Sequence, residues 1–436
     1  MSGYLAVLRF RDYRLLWGGS VVSQLGDGAT WIALAWLAVS DGGAGALGVL
    51  GVCYTLPVIA GGALVGPLLD RFSRRHLLVA DSVLRGAIVA LVPVLALTGQ
   101  LRLWHLFVVA GSYGLLKIVP LGVVPAVVPE LVPKERFHTA SALELVATGA
   151  AGFTGPALGG ALIPLVGAPA VLAVDAVSYL VLAVCVLAMR NRLPRPEPEE
   201  VPVQAPAGAA EPVAAAPPAG RGWRPVIAML RSDRVLLSNM VAFAMFNIAG
   251  GMVLVTLPWL VHERLPGGAV TLGLLLAIGN GAGLAGALVA GAVKPSVRQM
   301  RRVGVLQAVA GCAMLLLQVT VLPFVLLGVV LFELLTAPMS VSAQVVRLAR
   351  IPATLRGRTM TIMRTVMNSA IPLGTAIAAP LLAAGLYPLV VVLMALIAAV
   401  PGFVVAAMFR TTSFADELGL RPAAAPAPPP AAAPSS

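Results

Sequence analysis

Residues 387–409 read YPLVVVLMALIAAVPGFVVAAMF, a run without a single charged side chain. At 1.5 Å per residue a helix of this length covers about 34 Å, enough to cross the roughly 30 Å hydrocarbon core of a bilayer. A helix is also the one open structure that satisfies all its own backbone N–H and C=O groups where no water is available. Comparable runs recur through the chain, at 15–39, 46–69, 77–98, 104–128, 139–163 and 169–189. After a gap they resume at 235–260, 270–292, 303–320, 322–346 and 360–384, each bounded by charged or Pro/Gly-rich breaks. With 387–409 they make twelve spans, numbered 1 to 12 below. The expectation is an all-α integral membrane protein with twelve transmembrane helices in two six-helix bundles.

Composition agrees with that reading. The 436 residues are 59% hydrophobic and 11% charged, with a mean hydropathy of +0.94, outside the range of soluble domains. A net charge of +12 would suggest a nucleic-acid partner in a soluble protein, but the placement of the charges argues against one. Of the 30 Lys and Arg residues, 25 lie before span 1, in alternate loops or in the tail, whereas the opposite loops hold only Arg102 and Arg264. Arg85, Lys117 and Arg364 fall inside spans. Positive charge marks the cytoplasmic side, so both termini and the central connection are expected there, in a multi-pass protein of a bacterial inner membrane. The basic lead-in with Arg9, Arg11 and Arg14 precedes a first run too long for a cleaved signal.

Two halves are expected, 1–189 and 235–410. They are joined by a cytoplasmic linker, 190–234, whose Pro, Ala and Glu-rich part at 194–220 can bury little and should be disordered, as should the tail at 411–436. Val132-Pro133 before span 5 matches Ile351-Pro352 before span 11 at an offset of 219, which also carries Gly155 onto Gly374. The halves read as a duplication.

Ionisable groups at membrane depth cost about 2.5 to 3.5 kcal/mol each, so each needs a partner or a wet cavity. Asp27, Lys117 and Glu333 fall near the middle of spans 1, 4 and 10, with Asn247 at similar depth in span 7. Asp81 and Arg85 are four apart on one face of span 3, the spacing of an intrahelical ion pair. Glu144 and Arg364 lie at shallow, nearly equal depth in spans 5 and 11 and could close a cytoplasmic gate. Trp17, Trp31, Trp36 and Trp104 fit interfacial anchoring, although Trp31, four residues past Asp27, could instead stack on a substrate. Cys53, Cys185 and Cys312 sit singly in separate runs, and the four His residues form no ligand spacing. Gly281, Gly283 and Gly286 spell a dinucleotide fingerprint inside an apolar run with no strand before it, and read as a packing face. No catalytic residue, metal site or cofactor is expected, and no nucleophile and base pair supports an enzyme.

The sequence Gly66-Pro67-Leu68-Leu69-Asp70-Arg71-Phe72-Ser73-Arg74-Arg75 between spans 2 and 3 resembles the G-x-x-x-D-R-x-G-R-R signature of major facilitator superfamily transporters, with Ser73 in place of a glycine. Arg14 to Trp17 and Ser23 to Asp27 in span 1, Ala80 to Arg85 in span 3, Val174 to Tyr179 around Asp175 in span 6, and Arg356-Gly357-Arg358 are similar to the branch of macrolide and siderophore exporters. Gly155, Pro156, Gly159 and Gly160 resemble the antiporter motif of span 5, with Ala151 where its first glycine belongs and Gly152 one place late. The resemblance covers about residues 8 to 410 outside the linker. It implies that spans 1, 4, 7 and 10 line a central cavity, where Asp27, Lys117, Asn247 and Glu333 would converge, with Lys117 paired to Asp27 or Glu333. It also implies that Gly66, Asp70, Arg71, Arg74 and Arg75 form a cytoplasmic latch, with Asp70 at the start of span 11. Met245, Phe243, Phe246, Met252 and Phe332 near the polar four suit an amphipathic guest. The expected function is proton-coupled efflux of a small organic compound by a monomer in the lipid bilayer. Siderophore or lipid export and metabolite uptake are the alternatives, and an embedded enzyme or receptor is the reading from another class.

Overall fold

The computed structural model describes residues 6–190, 224–292, 298–352 and 355–412; side chains at 59–71, 118, 121, 125 and 126 are outside the description. Among the described residues every regular element is helical, and ten helices are long and apolar enough to cross a membrane. The expected linker core at 194–220 and most of the tail lie outside the described residues.

The first helix, α1 (Arg11–Arg71), holds spans 1 and 2 together. Gly43, with φ 61° and ψ −156°, is the only non-helical residue within it, a backbone conformation that favours glycine. The ring centroids of Trp31 and Tyr54 are 4.7 Å apart, at nearly equal chain distance from Gly43, so the chain doubles back at this corner. The loop expected at 40–45 is thus a single residue. Next come α2 (Arg74–Leu97), α3 (Leu103–Leu116), α4 (Ile118–Leu131), α5 (Phe137–Val166) and α6 (Ala168–Leu187).

Span 4, expected as one helix at 104–128, is broken at Lys117 into α3 and α4. Three residues on, Pro120 has no N–H for the carbonyl of Leu116, and its ring crowds that carbonyl. The second half follows the same rule. A short α7 (Arg224–Ser232), which the sequence reading left inside the linker, precedes α8 (Arg234–Arg264), α9 (Gly268–Ala292), α10 (Gln299–Ala313), α11 (Leu322–Arg350), α12 (Arg356–Asn368), α13 (Ala370–Ala383) and α14 (Tyr387–Met408). Span 11 breaks at Ser369 between α12 and α13, again three residues before a proline, Pro372. Span 9 ends in a 3-10 turn, Met314–Gln318. Counting the corner and the two proline breaks, the twelve spans stand as expected.

Small residues set the helix contacts, as they must where lipid supplies no hydrophobic drive between helices. A Cβ added to Gly155 would lie 2.7 Å from the carbonyl oxygen of Leu25 and 3.0 Å from Gly28 Cα, so α5 rests directly on the first arm of α1. Gly374 in α13, 219 residues on, would place a Cβ 1.9 Å from the carbonyl oxygen of Ile248, resting on α8 in the same way. Between the halves, Gly160 of α5 meets Gly273 Cα of α9 at 2.7 Å from its would-be Cβ, and Gly51 of α1 meets Thr375 of α13 at 3.0 Å. Gly281 and Gly286 press on Phe153 and on the carbonyl of Leu334, which makes the fingerprint-like run a packing face.

Candidate functional site

A cavity of about 490 Å³ opens beside Asp27. Its polar wall carries Ser20, Ser23 and Gln24 of α1 with Glu144 and Thr148 of α5. Trp31 and Tyr54 form an aromatic wall, and Leu254 of α8 with Leu276 and Asn280 of α9 close it from the second half.

Asp27 is held by three elements. Tyr113 of α3 donates a hydrogen bond to its Oδ1 at 2.7 Å, Tyr179 of α6 donates to the same oxygen, and Arg85 Nη1 of α2 stands 3.6 Å away. Arg85 also binds Asp81 through Nε at 3.0 Å and Nη2 at 2.5 Å, and its guanidinium lies 4.5 Å from the centre of the Tyr179 ring. The i,i+4 pair read from the sequence is therefore present, but it reaches beyond its own helix to Asp27.

The expectation that Lys117 pairs with a carboxylate is not met. Its Nζ donates to the Tyr54 hydroxyl at 2.9 Å and lies 5.5 Å from the centre of that ring. The break at Lys117 leaves the side chain beside the aromatic wall, while Arg85 already occupies the flank of Asp27.

The four mid-depth groups do not converge either. Asp27 and Lys117 line the cavity, whereas Asn247 and Glu333 are not among its lining residues. Asn247 Nδ2 donates to the carbonyl of Met367 at 2.8 Å, at the end of α12, which ties α8 to the proline break of span 11. Glu333 lies against the glycine face of α9, its Oε2 3.6 Å from the position a Cβ on Gly283 would take. Equal depth did not bring them together, because helix rotation decides which face meets the cavity. Phe246 and Phe332, read as cavity residues, stack on each other with centroids 4.8 Å apart and interplanar angle 10°, and Phe243, Met245 and Met252 are likewise absent from the lining.

Glu144 does not face Arg364. It accepts a hydrogen bond from Gln24 at 3.5 Å within the cavity, and Arg364 is exposed on α12. Asp175 of α6 is buried, accepting hydrogen bonds from Thr30 and, at 2.9 Å, from Ser178. Of the latch, Gly66, Asp70 and Arg71 lie at the end of α1 where side chains are outside the description. Arg74 pairs with Glu130 of α4, and Arg75 donates to the Leu187 carbonyl at 2.5 Å. Around the helix 5 motif, the carbonyl of the displaced Gly152 accepts from Asn280 Nδ2 across the two halves at 2.7 Å.

The sequence reading missed the tyrosines. Tyr54, Tyr113 and Tyr179, half of the six in the chain, surround Asp27 and Lys117. A phenol in mid-span needs a partner for its hydroxyl, and that was the signal available. Of the two readings of Trp31, an interfacial anchor or a ring beside a substrate, its place in the cavity wall agrees with the second. No group of His, Cys, Asp and Glu among the described residues could hold a metal ion.

The sequence model of the Major Facilitator Superfamily matches residues 16–375. No functionally curated sequence matches the chain at a significant level. Among solved structures, a mutant of the nucleoside transporter NupG superposes with a TM-score of 0.71 at 13% identity, covering 91% of this chain and 100% of its own. A bacterial homologue of the iron transporter ferroportin, in an inward-facing state, gives 0.67 at 16% identity over 93% and 99%. A bacterial homologue of the human lysosomal transporter Spinster, inward-facing and unoccupied, gives 0.66 at 13% identity over 95% and 99%.

Proposed function

The chain belongs to the Major Facilitator Superfamily, and from that premise we propose that it exports a small amphipathic organic compound in exchange for protons by alternating access. It is a multi-pass membrane transporter and not an enzyme. The observation that carries the finer reading is Asp27, a carboxylate in the wall of an otherwise largely apolar cavity, wired through Arg85 to a buried ion pair. When Asp27 takes a proton its attraction to Arg85 falls, which alters the contacts among α1, α2, α3 and α6. A titratable group placed where the substrate sits lets one site answer to both.

The aromatic wall of Trp31 and Tyr54 and the apolar Leu254 and Leu276 favour a flat hydrophobic guest, and Glu144 offers a carboxylate to a basic one. Glu333, on the glycine face of α9, is the proposed second protonatable group. The macrolide and siderophore exporter branch, the latch of Gly66, Asp70 and Arg71 with Arg74 and Arg75, a monomeric working unit, halves at 1–189 and 235–410, and cytoplasmic termini in a bacterial inner membrane complete the proposal.

Inverted vesicles carrying the full chain and energised with a proton gradient should accumulate ethidium, and a protonophore should release it. Asp27→Asn should abolish accumulation at wild-type protein levels. Accumulation that ignores the protonophore, or survives in Asp27→Asn, refutes proton coupling at this site; transport only in the uptake direction refutes export.

A further inference from the structure

Three carboxylates, Asp27, Asp81 and Asp175, share the interior of the first half with one guanidinium, that of Arg85. Arg85 binds Asp81 directly and stands 3.6 Å from Asp27. Asp27 has two phenol donors and an opening to the cavity. Asp175 has neither a cation nor an opening. It is 1% exposed, and its two oxygens are met by the hydroxyls of Thr30 and Ser178 alone among the described residues. The charged and titratable groups facing it are Asp27 from α1, Arg85 from α2, Tyr113 from α3 and Tyr179 on its own helix. Lys117 donates to the neutral Tyr54 hydroxyl and keeps its positive charge on the Asp27 side of the cluster.

Charge counting decides the state of such a group. Three ionised carboxylates against two cations, Arg85 and Lys117, would leave one uncompensated negative charge, and a buried acid with no cation in contact takes a proton instead. Of the three, Asp175 has the weakest claim to remain ionised. Packing adds an independent observation: a Cβ on Gly26 would lie 1.9 Å from Asp175 Oδ1 and 2.7 Å from Ser178 Oγ, so the carboxyl is pressed onto the α1 backbone at the residue before Asp27. A protonated Oδ2 can donate to Thr30 Oγ1 across the contact the two already make.

We infer that Asp175 is the resident proton-binding group of this transporter, holding one proton in the conformation described and exchanging it with Asp27. The O–H bond at Asp175 breaks as one forms at Asp27, so one acid becomes an anion as the other becomes neutral; Asp27 then releases the proton to cavity water. This rests on the proton-coupled reading above and assigns the store to a residue outside the cavity wall. Burial keeps the stored proton from leaking, and adjacency to Asp27 lets the cavity call on it.

Infrared difference spectroscopy of the full chain in lipid tests it without a transported substrate. At neutral pH the wild type should show the carbonyl band of a protonated carboxylic acid that Asp175→Asn removes, and that same component should survive in Asp81→Asn and Glu333→Gln. A band unchanged in Asp175→Asn overturns the inference. If Asp175→Asn does not yield folded protein, Thr30→Val should displace the band by deleting its hydrogen-bond partner, and an unmoved band overturns it equally. If the band behaves as expected while ethidium accumulation ignores a protonophore, the proton site stands and the coupled-export reading falls.

Discussion

Gly26 and Gly18 lie eight residues apart on one helix and differ completely in what surrounds them. A Cβ on Gly26 would overlap Asp175, whereas one on Gly18 would meet nothing within 4 Å. Gly26→Ala is therefore expected to destabilise the fold by about 1 to 3 kcal/mol, the usual cost of overpacking, while Gly18→Ala should be neutral or slightly stabilising because alanine is the better helix former. Thermal unfolding of both variants in the same detergent checks this, and equal midpoints would refute the contact. At this scale the sequence made Asp27 and Lys117 legible, because charge in an apolar run stands out. It did not reveal their partners. Arg85 was read as half of a pair within one helix, and only its buried guanidinium, meeting α1 and α6 at once, makes it the hub of the cluster.

Elements were the most legible level, and their interruptions the least. Periodic charged and Pro/Gly breaks located every span, yet spans 4 and 11 each break three residues before a proline, and spans 1 and 2 join at Gly43. Proline was visible in the sequence, but many spans carry one without breaking, as α2 does at Pro93 and α14 at Pro401. Neighbouring helices decide whether the freed carbonyl is tolerated. The glycines of α5 have an element-scale role: Gly155 and Gly159 seat α1, and Gly160 seats α9 of the other half. Gly160→Val should leave the halves folded but hold α5 and α9 apart, reducing ethidium transport at least about tenfold, comparable to losing roughly 1.4 kcal/mol from the productive arrangement. Transport at the wild-type rate would show that the contact is dispensable.

For the molecule as a whole, the alternating access proposed above would require the contacts between halves to be made and broken. The Asn280 to Gly152 hydrogen bond and the ring contact of Trp36 with His262, centroids 5.3 Å apart, are two that bridge them. Asn280→Ala removes an interaction worth about 1 kcal/mol, which corresponds to a roughly fivefold shift between states. A cysteine introduced at Ser23, in the cavity wall, should report it as a several-fold change in labelling rate by a membrane-impermeant maleimide. An unchanged rate would mean the bond contributes equally to both states.

Hydrophobic run length determined, from sequence alone, an all-helical membrane protein of many spans, while the one-sided basic residues and the 219-residue repeat gave only an expectation of its orientation and of two related halves. These are properties of segments, and lipid reads segments one at a time. Which mid-span groups share a site depends on the rotation of each helix about its axis, and that is set by contacts such as Gly26 on Asp175 and Gly155 on Gly28. Equal depth, on spans that the family resemblance put around a cavity, led to an expectation of four convergent residues, while packing brought two of them to the cavity, turned Asn247 to Met367 and Glu333 to α9, and gathered Arg85, Asp175 and three tyrosines that no spacing along the chain would have joined.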